Sequence, residues 1–323
     1  MQLPRRRFLH LAAGTLAAPL FPGLAAAGDY PTRPVHLLVG FAPGLAPDIV
    51  ARLIAQPLSE KLGQNIIIDN RPGAGSNIAA DAVVHAPADG YTLLYVTLGN
   101  AINASFYQHL DFDITRDIAP VAGTVRSPSV LAESLSVPAK TLPEFIAYAK
   151  ANPGKINFAS GGVGTAPHLA GELFKQTAGV DLVHVPYTSS YMPDLLAGRV
   201  QITFAPIATS IANIKAGKLR ALAVTGVTRS NVLPDVPTVA EFVKGYEASV
   251  WHGVGAPKDT SPESIGKLNR QIGAVIADPA VKPRLNDLGA EPMPMTPGKF
   301  GKFIAEEVRK WANVIKLAGL KPV

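Results

Sequence analysis

Cysteine is absent from the 323 residues. The chain therefore has no disulfide, no Cys-ligated zinc, no thiol nucleophile and no Cys for lipid attachment. Charge is sparse: Asp, Glu, Lys and Arg make up 17% of the chain, against 47% apolar residues. That balance excludes global disorder and supplies material for real cores. Aromatic residues amount to 7%. No Lys/Arg stripe with interleaved aromatics occurs, which argues against nucleic acid as a partner. No run of like charge is found beyond the N-terminus, and the mature chain holds no apolar run of about 20 residues that could span a membrane. The net charge is +6, half of it from Arg5, Arg6 and Arg7. The small remainder is compatible with anionic small ligands without arguing for them. The length suits two medium domains.

The N-terminus reads as an address. Arg5-Arg6-Arg7-Phe8-Leu9 leads into an apolar stretch reaching Leu24, followed by Ala25-Ala26-Ala27. Charged region, apolar region and small-residue cleavage site follow in the order of a secretory signal, and the paired arginines before Phe-Leu look like a twin-arginine signal. The apolar stretch is short and broken by Gly14, Pro19, Pro22 and Gly23, unlike a membrane anchor. Residues 1–27 are expected to be a signal peptide, leaving a mature chain exported to the bacterial periplasm.

The mature chain alternates short apolar runs with amphipathic stretches, the pattern of an α/β protein. Strands are expected at 35–39, 66–68 and 92–96. A helix with Ile49, Leu53, Ile54, Leu58 and Leu62 at helical spacing closes at Gly63, and Pro57 is expected to kink it or limit its bonding. A second helix, 77–85, is expected to turn Ile78, Ala79, Ala82 and Val83 inward. A second unit follows, with helices at 142–151, 167–178, 193–197 and around Ile207, Ile211 and Ile214. Its strands are expected at 156–159, 182–185, 200–204 and 219–224. After an extended run at 248–256 come helices at 262–277, 280–288 and 297–317. These last helices need a sheet to cover, and returning them to the first unit is the simplest packing. Lobe one is then discontinuous, 28–126 and 250–323, and lobe two is 127–249. Two crossings near Val125 and Val250 form a hinge, and the cleft between such lobes favours a ligand.

Three loops join a strand end to a helix start: Phe41 to Asp48, Asn70 to Asn77, and Ser160 to His168. Their glycines allow close backbone approach, and a helix N-terminus offers free N–H groups to an anion. In open α/β sheets ligands sit at the carboxyl ends of strands, where these loops lie. The plain alternative is turns capped by Asp48, Ser76 and Thr165. The third loop gathers three glycines, Ser160, Thr165 and His168, and is the one most suited to binding. Arg71 fits either an acidic neighbour or a ligand. Neither the phosphate-binding nor the dinucleotide glycine pattern is present, nor a nucleophile elbow or a zinc-binding His pair. No metal and no cofactor is expected. Ser160, His168 and Asp194 are the residue types of a hydrolase triad, on weak spacing.

The residues carry a resemblance. Tyr30-Pro31, Phe41-Ala42-Pro43-Gly44, Asp48-Ile49-Val50-Ala51-Arg52, Asn70-Arg71-Pro72-Gly73-Ala74-Gly75 and Asp89-Gly90-Tyr91-Thr92-Leu93 stand in order. Then come Ala101-Ile102-Asn103, Gly161-Gly162-Val163-Gly164-Thr165 with His168, and His184-Val185-Pro186-Tyr187. Gly217 to Thr225, Val236-Pro237-Thr238 with Glu241, and Trp251 with Gly253 follow. Together these resemble the Bug family, the periplasmic solute receptors of tripartite tricarboxylate transporters, over nearly the whole mature chain. The resemblance implies a type II periplasmic binding fold: two α/β lobes around a hinged cleft, without catalysis or cofactor. It implies a small organic carboxylate as ligand and membrane permease subunits as partners. Carried over residue by residue, lobe-one contacts would be Phe41, Gly44 and Asp48, with Asn100 where the family often has His. Lobe-two contacts would be Ser160, Gly161, Gly164, Thr165 and His168, with Tyr187 and Asp194 beside them.

The chain departs from the family at Leu45-Ala46-Pro47, where more glycine is usual, at Thr188-Ser189-Ser190, and at Ala205-Pro206, where many members have Asp-Asn. An acid there could hold an amine; Ala and Pro cannot. The expected ligand is therefore an aromatic or otherwise weakly polar acid rather than an amino acid. Other readings are a sensory input for a signalling receptor, a Ser160/His168 hydrolase, and an inorganic oxyanion receptor. A monomer is expected, since a clamp must open and close freely.

Overall fold

The computed structural model describes residues 30–322. The expected signal segment lies outside the described residues. The chain begins β1 (Val35–Val39), α1 (Ala46–Leu62), β2 (Ile66–Asn70), α2 (Asn77–Val84), β3 (Thr92–Thr97), α3 (Leu98–Phe106), the single turn α4 (Ile114–Asp117) and the long β4 (Ile118–Ser127). It continues with β5 (Ser129–Ser134), α5 (Leu142–Ala151), β6 (Asn157–Ser160), α6 (Ala166–Ala178), β7 (Val183–Pro186), α7 (Met192–Leu196), β8 (Ile202–Pro206), α8 (Ile207–Lys215) and β9 (Leu219–Val224). The last stretch is β10 (Val250–Pro257), α9 (Pro262–Ile276), α10 (Lys282–Asp287), β11 (Glu291–Pro292) and α11 (Pro297–Leu317).

These elements form two sheets, in strand order β11-β4-β10-β3-β1-β2 and β7-β6-β8-β5-β9. In the first, β1 pairs in parallel with β2 and β3, while β10 runs antiparallel between β3 and β4. In the second, β6 pairs in parallel with β7 and β8, and β5 runs antiparallel to β8 and β9. The chain leaves the first sheet at Ser127, enters the second at Ser129 and returns at Val250. The molecule is a two-lobed α/β structure.

Alternation along the strands explains the layering. Leu37, Leu93 and Tyr95 share a core with Val50, Ile54 and Leu58 of α1 and Leu268 and Ile272 of α9. Leu38, Leu94 and Val96 face the other way, onto Ala79 and Val83 of α2, Ile102 of α3 and Phe300, Ile304 and Trp311 of α11. That second core continues into lobe two through Leu169 and Phe174 of α6. There Gln176 Nε2 of α6 donates to the Val314 carbonyl of α11 at 3.1 Å. Trp251 of β10 and Trp311 of α11 both donate their indole N–H to Glu307 Oε2, at 2.9 and 3.0 Å. Glu307 is buried and also pairs with Lys310. A buried carboxylate is tolerated because its acceptor sites are filled.

Local details differ from the sequence reading. Helix α1 continues through Pro57 to Leu62 and closes at Gly63 in the left-handed conformation. In α2 the inward residues are Asn77, Ala79, Ala80 and Val83, whereas Ile78 is exposed. Its side chain instead covers Gly73 of the preceding loop. Helix α3 and strands β4 and β5 had no counterpart among the expected elements. Gly99, Asn100 and Asn103 lower the helix propensity of α3 and hide it from periodicity alone.

Candidate functional site

The first loop is organised by Asp48. Its carboxylate accepts from the Gly44 amide at 2.8 Å, from Arg52 Nε at 2.9 Å and from Asn70 Nδ2 at 2.8 Å. Asn70 Nδ2 also reaches the Phe41 carbonyl at 2.9 Å, and Arg52 Nη2 donates to Asn70 Oδ1 at 2.8 Å. Burial alone would raise the Asp48 carboxyl. The bonds from Arg52, the Gly44 amide and Asn70 outweigh it and hold the carboxyl below its ordinary value. Gly44 sits at φ +84°, a turn that disfavours any side chain. Asp48 therefore does not cap α1, whose N-cap is Leu45.

In the second loop Ser76 is the N-cap of α2 in a left-handed conformation and makes no side-chain cap. Its hydroxyl packs against Gly40 instead. Asn103 Nδ2 of α3 ties the loop down through the Gly75 carbonyl at 2.9 Å and Asn77 Oδ1 at 2.9 Å. Arg71 is exposed and forms no ion pair among the described residues. Asn100 is buried in the first turn of α3, where its Oδ1 accepts from the Thr97 amide at 2.9 Å.

The third loop is held from behind. Ser160 is fully buried; its Oγ lies 2.6 Å from His184 Nε2 and exchanges bonds with the Gly162 backbone. His168 is also buried, and its Nδ1 accepts from the Gly164 amide at 3.0 Å. The two imidazoles stack with centroids 3.7 Å apart. Burial, His184 and Lys175 push His168 down to about 3; burial and Lys175 push His184 down to about 4. Both rings are neutral at ordinary pH, and a neutral His168 is required to accept from Gly164. Thr165 precedes α6 without a side-chain cap. Farther along, Tyr187 donates to Asp194 Oδ2 at 2.8 Å, and Arg199 pairs with Asp194 Oδ1 at 2.8 Å.

Between the lobes lies a cavity of about 400 Å3. Phe41 and Pro47 come from the first loop and Gly75 from the second. Thr97, Leu98, Gly99, Ile102 and Phe106 come from β3 and α3, Val163 to Ala166 from the third loop, and His252 from β10. The first turns of α3 and α6 thus both line it. Their first-turn N–H groups, save at Pro167 of α6, which has none, lack partners within the helices and carry partial positive charge. Apart from Asn103, Thr97, Thr165, Tyr107 and His252, the lining side chains are apolar, and none is Arg, Lys, Asp or Glu.

Of the sequence-derived site residues, Phe41, Gly164 and Thr165 line this cavity. Gly44, Asp48, Asn100, Ser160, Gly161, His168, Tyr187 and Asp194 do not. Asp48, Asn100, Ser160 and His168 are turned into the hydrogen bonds that shape its walls. The hydrolase constellation does not assemble: Ser160 pairs with His184, His168 with Gly164, and Asp194 with Tyr187 and Arg199.

His252 went unread in the sequence, although it stands between Trp251 and Gly253. Its rank as a wall residue needs the strand pairing that sets it opposite Thr97. A signal was nonetheless present: a lone His in an apolar extended run. Its Nδ1 lies 3.4 Å from the Tyr95 hydroxyl, and burial pushes the imidazole down to about 4.

Comparison with known proteins agrees over most of the chain. A family model described as the tripartite tricarboxylate transporter family receptor matches residues 50–320. A UPF0065 protein from the tcbD-tcbE intergenic region of a Pseudomonas species is 38% identical over 290 residues, covering 88% of this chain and 86% of that protein. Protein BugT of Bordetella pertussis is 36% identical over 320 residues, covering 97% and 96%. Among solved structures, R. palustris Rpa4515 with adipate superposes with a TM-score of 0.75 at 38% identity, covering 91% of this chain and all of that one. MatC from Rhodopseudomonas palustris with bound malate gives 0.70 at 31% identity, over 88% and 100% of the two chains.

Proposed function

The chain belongs to the tripartite tricarboxylate transporter receptor family, and from that footing we propose that it captures a small, weakly polar organic carboxylate between its lobes and delivers it to membrane permease subunits. Members of the family are periplasmic solute-binding proteins, and export through the N-terminal signal fits that compartment. The observation that carries the reading is the cavity itself. Two helix N-termini, one from each lobe, meet in it, and such ends favour an anion. The remaining wall, with Phe41, Pro47, Leu98, Ile102, Phe106 and Val163, suits an aliphatic or aromatic body. Adipate and malate in the two related structures support a carboxylate as the anion. No acidic side chain lines the cavity to receive an amine, which disfavours amino acids. In this reading 28–126 with 250–323 form one jaw and 127–249 the other, and the ligand stabilises the closed arrangement by bridging them.

A thermal-shift panel tests this. Aromatic mono- and diacids, aliphatic dicarboxylates, citrate-type acids, amino acids and phosphate are each added to the protein. A ligand at a hundred times its dissociation constant stabilises the fold by about 2.7 kcal/mol. Weakly polar carboxylates are expected to shift the midpoint and to be recovered unchanged. Tight binding of aspartate or glutamate without any response to benzoate- or phthalate-type acids overturns the ligand class. Recovery of an altered compound overturns the receptor reading.

A further inference from the structure

A carboxylate entering this cavity would find no fixed cation. None of the lining residues is Arg or Lys, and an unneutralised charge in a mostly apolar site is costly. Of the lining side chains, His252 is the one whose ordinary ionisation lies near neutrality. It stands at the start of β10 directly opposite Thr97, the residue that leads into α3. It therefore sits beside the N-terminus of α3, one of the two helix ends that line the cavity. Its Nδ1 faces the Tyr95 hydroxyl, and its Nε2 has no partner among the described residues. Resting on the carboxylate-receptor reading, we propose that His252 is a specificity-determining residue that takes up one proton from solvent as the anion enters, so that the imidazolium donates Nε2–H to the ligand and Nδ1–H to the Tyr95 oxygen.

The surroundings leave His252 free to respond. From β3 it meets Tyr95, whose phenol burial raises well above its usual value, so it stays neutral. The charged residue of β4, Arg126, pairs with Glu291 of β11 at 3.6 Å. Asp81 of α2 faces His85 at the surface, and α3 holds no charged residue. On α1, Asp48 and Arg52 hold each other. Burial is what holds the imidazole down at about 4. An anion at Nε2 supplies the missing opposite charge and raises the bound-state value, so proton and ligand bind together. Between about 4 and the bound-state value, affinity then falls as pH rises, by up to about tenfold per pH unit. A neutral ligand gains nothing from this, so the device selects for anions.

Calorimetric titration with benzoate, hexanoate and adipate tests it, over about pH 6.5 to about pH 8.5, where carboxylates are ionised. Each titration is repeated at fixed pH in two buffers of different ionisation enthalpy. The expected result is a dissociation constant that rises with pH, and a heat that differs between buffers by an amount equal to uptake of up to one proton. His252→Phe and His252→Gln should both remove the pH slope, with Gln keeping more affinity because it retains a neutral donor. The buffer comparison on the unaltered protein stands even if a variant fails to fold. Carboxylate binding that is independent of both pH and buffer overturns this inference and leaves the receptor reading intact. Absence of binding by all three acids at every pH overturns both.

Discussion

Asp48 shows how a residue can shape a cavity without lining it. Its carboxylate gathers the Gly44 amide, Arg52 and Asn70, and so sets the path of the loop that brings Phe41 and Pro47 to the cavity. Asp48→Ala leaves the Gly44 N–H without an acceptor and strips the Asn70 amide of one of its two, the Phe41 carbonyl remaining. The expected cost is about 2–3 kcal/mol, since bonds to charged acceptors are the stronger kind. Urea unfolding measures it, and ligand titration should show a parallel loss of affinity as the loop loosens. Retention of full stability would mean that Asn70 and Arg52 hold the loop unaided. His168 belongs to the same class of residue: it reads as a ligand contact in the sequence, yet it accepts from the Gly164 amide behind the wall.

At the scale of elements, α3 and the loop before α6 approach each other across the cleft. Gly164 lies at φ +78°, and a Cβ placed there would come 2.4 Å from the Phe106 ring of α3. Gly164→Ala therefore strains the turn by about 1–2 kcal/mol and also drives a methyl group into the Phe106 ring of α3. The prediction is a loss of at least about tenfold in carboxylate affinity, equivalent to about 1.4 kcal/mol, with the protein still folded. Titration paired with circular dichroism checks both halves. Unchanged affinity would mean that Phe106 can swing aside and that the close approach is incidental. Helix α11 plays the opposite role. It packs on both α3 and α6, and it is fastened to β10 by the two indoles on Glu307, so it joins the lobes rather than separating them.

For the whole molecule, several buried ionisable groups set how stability follows pH. Burial pushes His168 down to about 3, and His184 and His252 to about 4. The unfolded chain binds those protons more readily, so each group's stabilising contribution is present above about 6.5 and is lost as pH falls toward 4. Glu133 acts with the opposite sign. Burial pushes it up to about 7 against the pull of Arg220, so its contribution is present below about 4.5 and is lost as pH rises through 7. Each group changes stability by at most about 1.4 kcal/mol per pH unit within its window. Three histidines outweigh one glutamate, so the urea midpoint is expected to fall steadily from pH 7 to pH 5. Removing the opposing group with Glu133→Gln should steepen that fall. A flat midpoint over this range would show that water reaches the histidines in the folded state.

The sequence by itself determined the local chemistry. The apolar runs that became β1, β3 and β9, the amphipathic α1, α9 and α11, and the glycine-rich turns at strand ends are all legible, because strand and helix periods are written in neighbouring residues. Family membership and the two-lobed α/β fold follow from motifs strung along the whole chain. What sequence spacing could not decide is which of those motif residues face the cleft. Asp48, Ser160 and His168 look like ligand groups and are spent on hydrogen bonds inside the walls, whereas α3 and His252 are brought to the cavity from weakly patterned segments. The reason is geometric. Strand β10 reaches its place between β3 and β4 only after some 120 residues of lobe two have intervened, so the neighbours of His252 are set by long-range pairing and by nothing in its own segment.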